Sequence, residues 1–278
     1  MTSSSNPNPG GKAGSHRPDH AALVHEARKT IKRMRALARL LRDELGEQEL
    51  DHVNKSLRDA AQRLARARDA EVRLATLQHL RARHPKALAL EGIEQLRTRL
   101  ERERDEAGEP APEHDVLSDI GDMRRALSRW NLVDHDFEAI APGLRRIYRG
   151  GRRRYARVIR EHARDAEAVH DWRKRVKSLY YALDMLGGTS AKGTQGATRR
   201  AERLGDLLGE EHDLWLLSAY VEEHPDAFGD DAAASKTLLA LTERRRKRLR
   251  ERALGVGARL YELRPGDFIR RVRDSLAR

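Results

Sequence analysis

The stretch Val24-His25-Glu26-Ala27-Arg28-Lys29-Thr30-Ile31-Lys32 recurs as Val169-His170-Asp171-Trp172-Arg173-Lys174-Arg175-Val176-Lys177, at an offset of 145 residues. At about 100° per residue, His25, Arg28, Lys32, Arg35 and Arg39 fall on one helical stripe, and His170, Arg173 and Lys177 on its counterpart. Cations one turn apart repel each other, so a row of this kind calls for facing carboxylates or an external polyanion. Any single member can snorkel to solvent or pair with a neighbouring carboxylate; a duplicated row is harder to explain that way. In the second copy Tyr180 and Asp184 replace the last two cations, which makes that copy the weaker or more selective contributor.

A further basic helix lies between the copies, running from Gly143 to Tyr155. Leu144, Ile147, Gly151, Tyr155 and Val158 supply its apolar face. Arg145, Arg149 and Arg152 stack on one flank, and Arg146, Arg149 and Arg153 on another. The planar guanidinium grips phosphate oxygens in pairs. Gly150 and Gly151 weaken a helix, and the close approach of a partner helix or an anion would account for them. The run Arg244-Arg245-Arg246-Lys247-Arg248 is expected to face outward in part.

His25 and His170 head the repeated motif, and a nearby polyanion would favour their protonated forms. No His-Glu-x-x-His stands in the sequence, and the only i,i+4 histidine pair, His16 and His20, is broken by Pro18. No metal site and no cofactor are expected. There is no glycine-rich phosphate loop ending in Lys-Ser or Lys-Thr and no Gly-x-Ser-x-Gly elbow, so the chain is not expected to be an enzyme. The alternation Glu101-Arg102-Glu103-Arg104-Asp105 reads as a solvated helix face.

The elements that must carry these residues are helices. Val24, Ala27, Ile31, Met34, Ala38 and Leu41 follow three-four spacing, as do Val169, Trp172, Val176, Leu179, Leu183 and Leu186; both stripes are expected to be core. Glycine and proline clusters punctuate the pattern at His84-Pro85, Gly108 to Pro112, Pro142-Gly143, Gly187 to Gly196, His224-Pro225 and Pro265-Gly266, and predict the connections. A second, weaker match, Arg68-Asp69-Ala70-Glu71-Val72 with His212-Asp213-Leu214-Trp215-Leu216, follows at an offset of 144. The expected architecture is all-α, a pair of helical bundles of similar plan.

The chain has 278 residues with 56 Lys plus Arg against 44 Asp plus Glu, a formal charge of +12 and no cysteine. The charge predicts an anionic partner. Missing cysteine excludes disulfides and thiolate chemistry and fits a cytoplasmic location. No apolar run is long enough to span a membrane. Residues 1–18 combine Ser, Asn, Pro and Gly with few apolar side chains and are expected to be a disordered tail. With 4% aromatic residues the chain offers few stacking platforms for single strands. Nucleic acid is thus a possible partner but not the preferred one.

The sequence resembles the CHAD (conserved histidine α-helical domain) family over roughly Asp19 to Pro265. The likeness is carried by Val24-His25-x-x-Arg28-x-x-x-Lys32-Arg33-x-Arg35, by Leu64 through Arg68-Asp69-x-x-Val72, and by Trp130. It continues through Gly143-Leu144-Arg145-Arg146-x-Tyr148-Arg149-x-Gly151-Arg152-Arg153, Val169-His170-x-x-Arg173-x-x-x-Lys177-x-Leu179-x-Tyr181 and Leu204-x-x-Leu207-Leu208-Gly209-x-x-His212-Asp213. The resemblance implies two four-helix subdomains related by a pseudo-twofold, with a basic channel between them that binds inorganic polyphosphate, and association with polyphosphate granules. The domain would span 19–278: a first repeat at about 19–140, a linking basic helix at about 143–162 and a second repeat at about 165–265. Its ligand residues would be His25, Arg28, Lys32, Arg35, Arg39, Arg145, Arg149, Arg152, Arg153, His170, Arg173, Lys177 and Tyr181, with Asp69 and Asp213 orienting cations behind them. Ser178 and Tyr180 depart from the family, which usually places Lys or Arg there. Nucleic-acid binding and metal-dependent phosphate hydrolysis are the competing expectations.

Overall fold

The computed structural model describes residues 20–63, 66–106, 121, 137–161, 163, 165–187 and 193–276. Among these every regular element is helical: α1 (His20–Leu40), α2 (Arg42–Leu45), α3 (Glu47–Arg63), α4 (Arg66–Arg83), α5 (Glu91–Glu106), α6 (Phe137–Arg160), α7 (Ala166–Met185), α8 (Gln195–Glu223), α9 (Ala232–Leu260) and α10 (Pro265–Leu276), with a 3₁₀ turn at Pro225–Phe228. The chain is all-α. The expected tail at 1–18, Trp130 and the break at Gly108 to Pro112 lie outside the described residues.

The apolar stripes are core where their side chains are described, which excludes Val24. Ala27, Ile31, Met34 and Ala38 of α1 are buried, with Leu41 just past its end, as are Val169, Trp172, Val176, Leu179 and Leu183 of α7, with Leu186 just past its end. The main core gathers α4 to α10 around Trp172, Tyr148, Leu144, Leu208 and Leu249. A smaller cluster joins Ile31 and Met34 of α1 to Leu50, Val53, Leu57 and Ala60 of α3. The repeated segments fall on α1 and α7, and the weaker match on α4 and α8. In each case the two copies pack on one another.

Some expected breaks are helix instead. α6 starts at Phe137 and runs through Pro142, which gives up the bond that an N–H there would make to the Glu138 carbonyl one turn back. Pro265 begins α10 instead of separating helices, which suits the fixed φ of proline in a first turn. Gly196 is inside α8. Gly187, with φ +111°, does end its segment, in a conformation that favours glycine.

Side chains set the helix ends nearest the core. Asp165 caps α7 by accepting from the Glu167 amide at 2.8 Å, and Asp231 caps α9 by accepting from the Ala234 amide at 2.9 Å. The second Asp231 oxygen accepts from the Gly92 amide at 3.3 Å, which ties α5 to α9. Between α8 and α9, buried Glu211 pairs with Arg246 at 3.1 Å and Arg250 at 3.7 Å. The blocky run on α9 is therefore split: Arg246 is buried and Arg245 pairs with Glu210, while Arg244, Lys247 and Arg248 face outward.

Candidate functional site

α1 and α7 lie antiparallel: Arg33 pairs with Asp184 at 3.0 Å and Arg39 donates to Ser178 Oγ at 3.2 Å, so numbers rise along one helix as they fall along the other. Ser178 itself donates to the Lys174 carbonyl at 2.9 Å. A Lys or Arg at position 178 would set a second cation against Arg39; the small hydroxyl accepts a bond there instead. Arg39 also donates to the Arg35 carbonyl at 3.3 Å, and Arg35 to the Leu57 carbonyl of α3 at 3.0 Å.

These bonds hold two guanidinium groups at a cleft of about 970 Å³. It is lined by Arg35, Arg39 and Arg42, by Leu50, Asp51, Asn54, Lys55 and Arg58 of α3, by Arg146 and Ile147 of α6, and by Lys174 and Arg175 of α7. Eight of these are Lys or Arg, against Asp51 as the one carboxylate in the lining; two of the eight are paired from behind, Arg146 with Asp43 at 2.8 Å and Lys174 with Asp171 at 3.3 Å. Burial, then Arg175, then Arg35, pushes the Arg39 guanidinium down to about 10. Burial and then Arg58 lower Arg35. Burial and then Arg154, partly offset by Asp171, lower Arg175. Arginine keeps its proton at neutral pH regardless, so these shifts measure the cost of holding cations together in a poorly solvated place.

A second basic region lies further along α1. A cleft of about 490 Å³ is lined by Lys32, by Arg173 and Lys177 of α7, by His79 and Arg83 of α4, and by α8 and α9 residues including Asp206, Glu210, Asp213 and Arg245. A smaller one of about 210 Å³ is lined by Arg28, Lys29, Lys32, Lys177, Tyr180, Tyr181, Glu202 and Asp206. Lys32 and Lys177, which match in the two copies, line both. Here carboxylates make up more of the lining, with Asp206, Glu210 and Asp213 in the larger of these two clefts and Glu202 and Asp206 in the smaller, and Lys177 pairs with Asp206 at 3.3 Å. Lys177 lies across Gly205, where a Cβ would stand 3.0 Å from its Nζ.

The remaining residues expected at the site are dispersed. Arg145, Arg149, Arg152 and Arg153 are exposed on α6 and line none of these three clefts. Arg152 donates to the Tyr261 carbonyl at 3.2 Å. Asp69 is exposed, whereas Asp213 stands in the cleft with Arg173 and Lys177. Tyr181 is buried, at 8% exposure. His25 lies on α1, but its side chain is outside what the structure describes. His170 is half-buried with its ring 4.5 Å from that of His212; burial, then Lys174 and Arg173, lowers it, so the neutral imidazole is favoured in the unliganded fold.

Reading along the repeat alone does not find Lys55, Arg58, Arg146, Lys174 and Arg175 as one group. Arg175 stands opposite Thr30 in the repeat, so matching positions pass it over; Lys174 does match Lys29, but its contribution depends on the opposite wall. The stretch Glu101 to Asp105 is not wholly solvated either. Glu103 accepts from the Tyr220 hydroxyl and pairs with Arg73 at 3.5 Å and Arg99 at 3.3 Å, which joins α5 to α4 and α8. Among the described residues no group of His, Asp and Glu is placed to hold a metal ion, and no helix is long and apolar enough to cross a membrane.

The family described as CHAD domain matches residues 12–222. No curated protein and no solved structure matches the chain.

Proposed function

The chain belongs to the CHAD-domain family, of which polyphosphate binding is a general property, and on that premise we propose that it binds inorganic polyphosphate without chemical turnover. The observation that carries this is the cleft between α1, α2, α3, α6 and α7, where eight cations share one lining carboxylate, Asp43 and Asp171 pair with Arg146 and Lys174 from outside it, and Arg35, Arg39 and Arg175 are held at an electrostatic cost. A polyanion removes that cost by supplying the missing charge. Arg28, Lys32, Arg173 and Lys177 continue the basic track, but neighbouring carboxylates already offset part of their charge, so they are the secondary seat. The exposed guanidiniums of Arg145, Arg149, Arg152 and Arg153, together with His25 and His170, attract and steer the chain; Asp213 orients Arg173. The protein then resides with intracellular polyphosphate, in granules.

No Trp, Tyr, Phe or His lines the large cleft, which favours a ligand made of phosphate alone over a single-stranded nucleic acid that needs stacking surfaces. A duplex is read by elements that protrude into its grooves, and this seat is concave. The test is a titration with long-chain polyphosphate, then competition by single-stranded and duplex nucleic acid at equal phosphate concentration. Polyphosphate is expected to bind and to resist displacement, with no phosphate released in magnesium or manganese. Efficient displacement by nucleic acid would overturn the assignment, and metal-dependent release would make the protein an enzyme.

A further inference from the structure

α3 shares its apolar face with α1 through a small cluster that is separate, among the described residues, from the main core. It packs on α1 and on the short α2. Lys55 and Arg58, three residues apart and both exposed, sit on the flank that faces the large cleft. Arg39, Arg146 and Arg175 line the same cleft from the other helices. Across the gap the walls therefore carry like charge, and on the α3 side Arg58 already disfavours the charge of Arg35, which donates to the Leu57 carbonyl beside it. Repulsion between two walls becomes attraction once a polyanion lies between them, because each then faces negative charge.

From this we infer that α3 is a binding wall of the site: Lys55 and Arg58 grip the same phosphate chain as Arg39 and Arg175, and the bound chain fastens α3 to α6 and α7. This rests on the polyphosphate assignment and adds residues outside the repeated motif. It also predicts a combination that a purely structural role does not give. Removing Lys55 and Arg58 relieves repulsion in the empty protein and removes two contacts from the liganded one.

The experiment compares the wild type with Lys55→Gln/Arg58→Gln, by titration with long-chain polyphosphate at several salt concentrations and by melting without ligand. The variant is expected to bind about tenfold or more weakly, with the slope of log K against log salt shallower by about 2 and a melting temperature that is unchanged or higher. Lys55→Arg/Arg58→Lys keeps the charge and is expected to keep the slope. Amide exchange of α3 in the wild type is expected to slow when polyphosphate saturates the protein. Wild-type affinity and slope in the Gln variant, a lowered melting temperature at an unchanged slope, or α3 exchange indifferent to ligand would each overturn the inference while leaving polyphosphate binding intact. A wild type that does not bind at all overturns the polyphosphate assignment itself.

Discussion

His170 and His212 lie 4.5 Å apart between ring centroids, and Trp215 stacks on His212 at an interplanar angle of 18°. Burial, then Arg173, His170 and Lys174, pushes His212 from 6.5 down to about 3, so the fold holds a neutral imidazole that the unfolded chain protonates more readily. The stability from this preference is present in full above pH about 6.5 and is lost as pH falls toward about 3, where both states bind the proton. Discounted for the partial exposure of the ring, the contribution is on the order of 1–2 kcal/mol. Melting temperature measured from pH 7 to pH 4 is expected to fall less steeply in His212→Gln than in the wild type; parallel profiles would contradict this. At this scale the sequence is legible where residue type decides the outcome. The placing of Arg35 and Arg39 on the flank of a core stripe follows from helical period, and both are half-buried there. The charge state of His170 does not follow, because its first cause is burial, which only tertiary packing supplies.

The helix α6 shows how one element is fixed by close approaches along its length. Gly143 sits against the Leu40 carbonyl at the end of α1, and Gly151 against the Tyr261 ring, so that a Cβ at either position collides. Beside Gly151, the Tyr148 hydroxyl donates to the Leu263 carbonyl at 3.0 Å, and its ring stacks on Phe268 at 3.9 Å, which joins α6 to α10. Gly150 differs: the nearest atom to a Cβ there is Arg175 Cδ at 3.8 Å, an ordinary contact. Gly151→Ala is therefore expected to destabilise by about 1–3 kcal/mol through overpacking. Gly150→Ala is expected to stabilise by up to about 1 kcal/mol through helix propensity. Denaturant midpoints of the two variants check this, and a shared sign would contradict it. The two glycines are adjacent in a basic run, and the sequence makes them look alike. Only the packing of Tyr261, more than a hundred residues later, separates them. The apolar face of α6 was legible from spacing, since Leu144, Ile147, Gly151 and Val158 are all buried; its start before Pro142 was not, because proline near a helix start reads the same as proline in a turn.

Over the whole molecule, a formal charge of +12 marks an anionic partner but not its seat. The copies of the repeat fall on two helices, α1 and α7, of an all-α chain, and the repeat drew attention to Arg28, Lys32, Arg173 and Lys177. Of the carboxylates that α8 brings to them it marked Asp213 but not Asp206 or Glu210, and it said nothing of α3, whose Lys55 and Arg58 resemble any cations on a helix flank until α1 turns them toward Arg39 and Arg175. Net excess of positive charge is concentrated where five helices contribute one or two cations each, and tertiary packing alone creates that. The most direct test of this account is titration with long-chain polyphosphate over a range of salt concentrations. It compares the wild type, Arg35→Gln/Arg39→Gln/Arg175→Gln, and Arg28→Gln/Lys32→Gln/Arg173→Gln/Lys177→Gln, each with its helicity verified. The triple variant is predicted to lose more affinity than the fourfold one and to flatten the salt slope by about 3. Wild-type affinity and slope in the triple variant would contradict it.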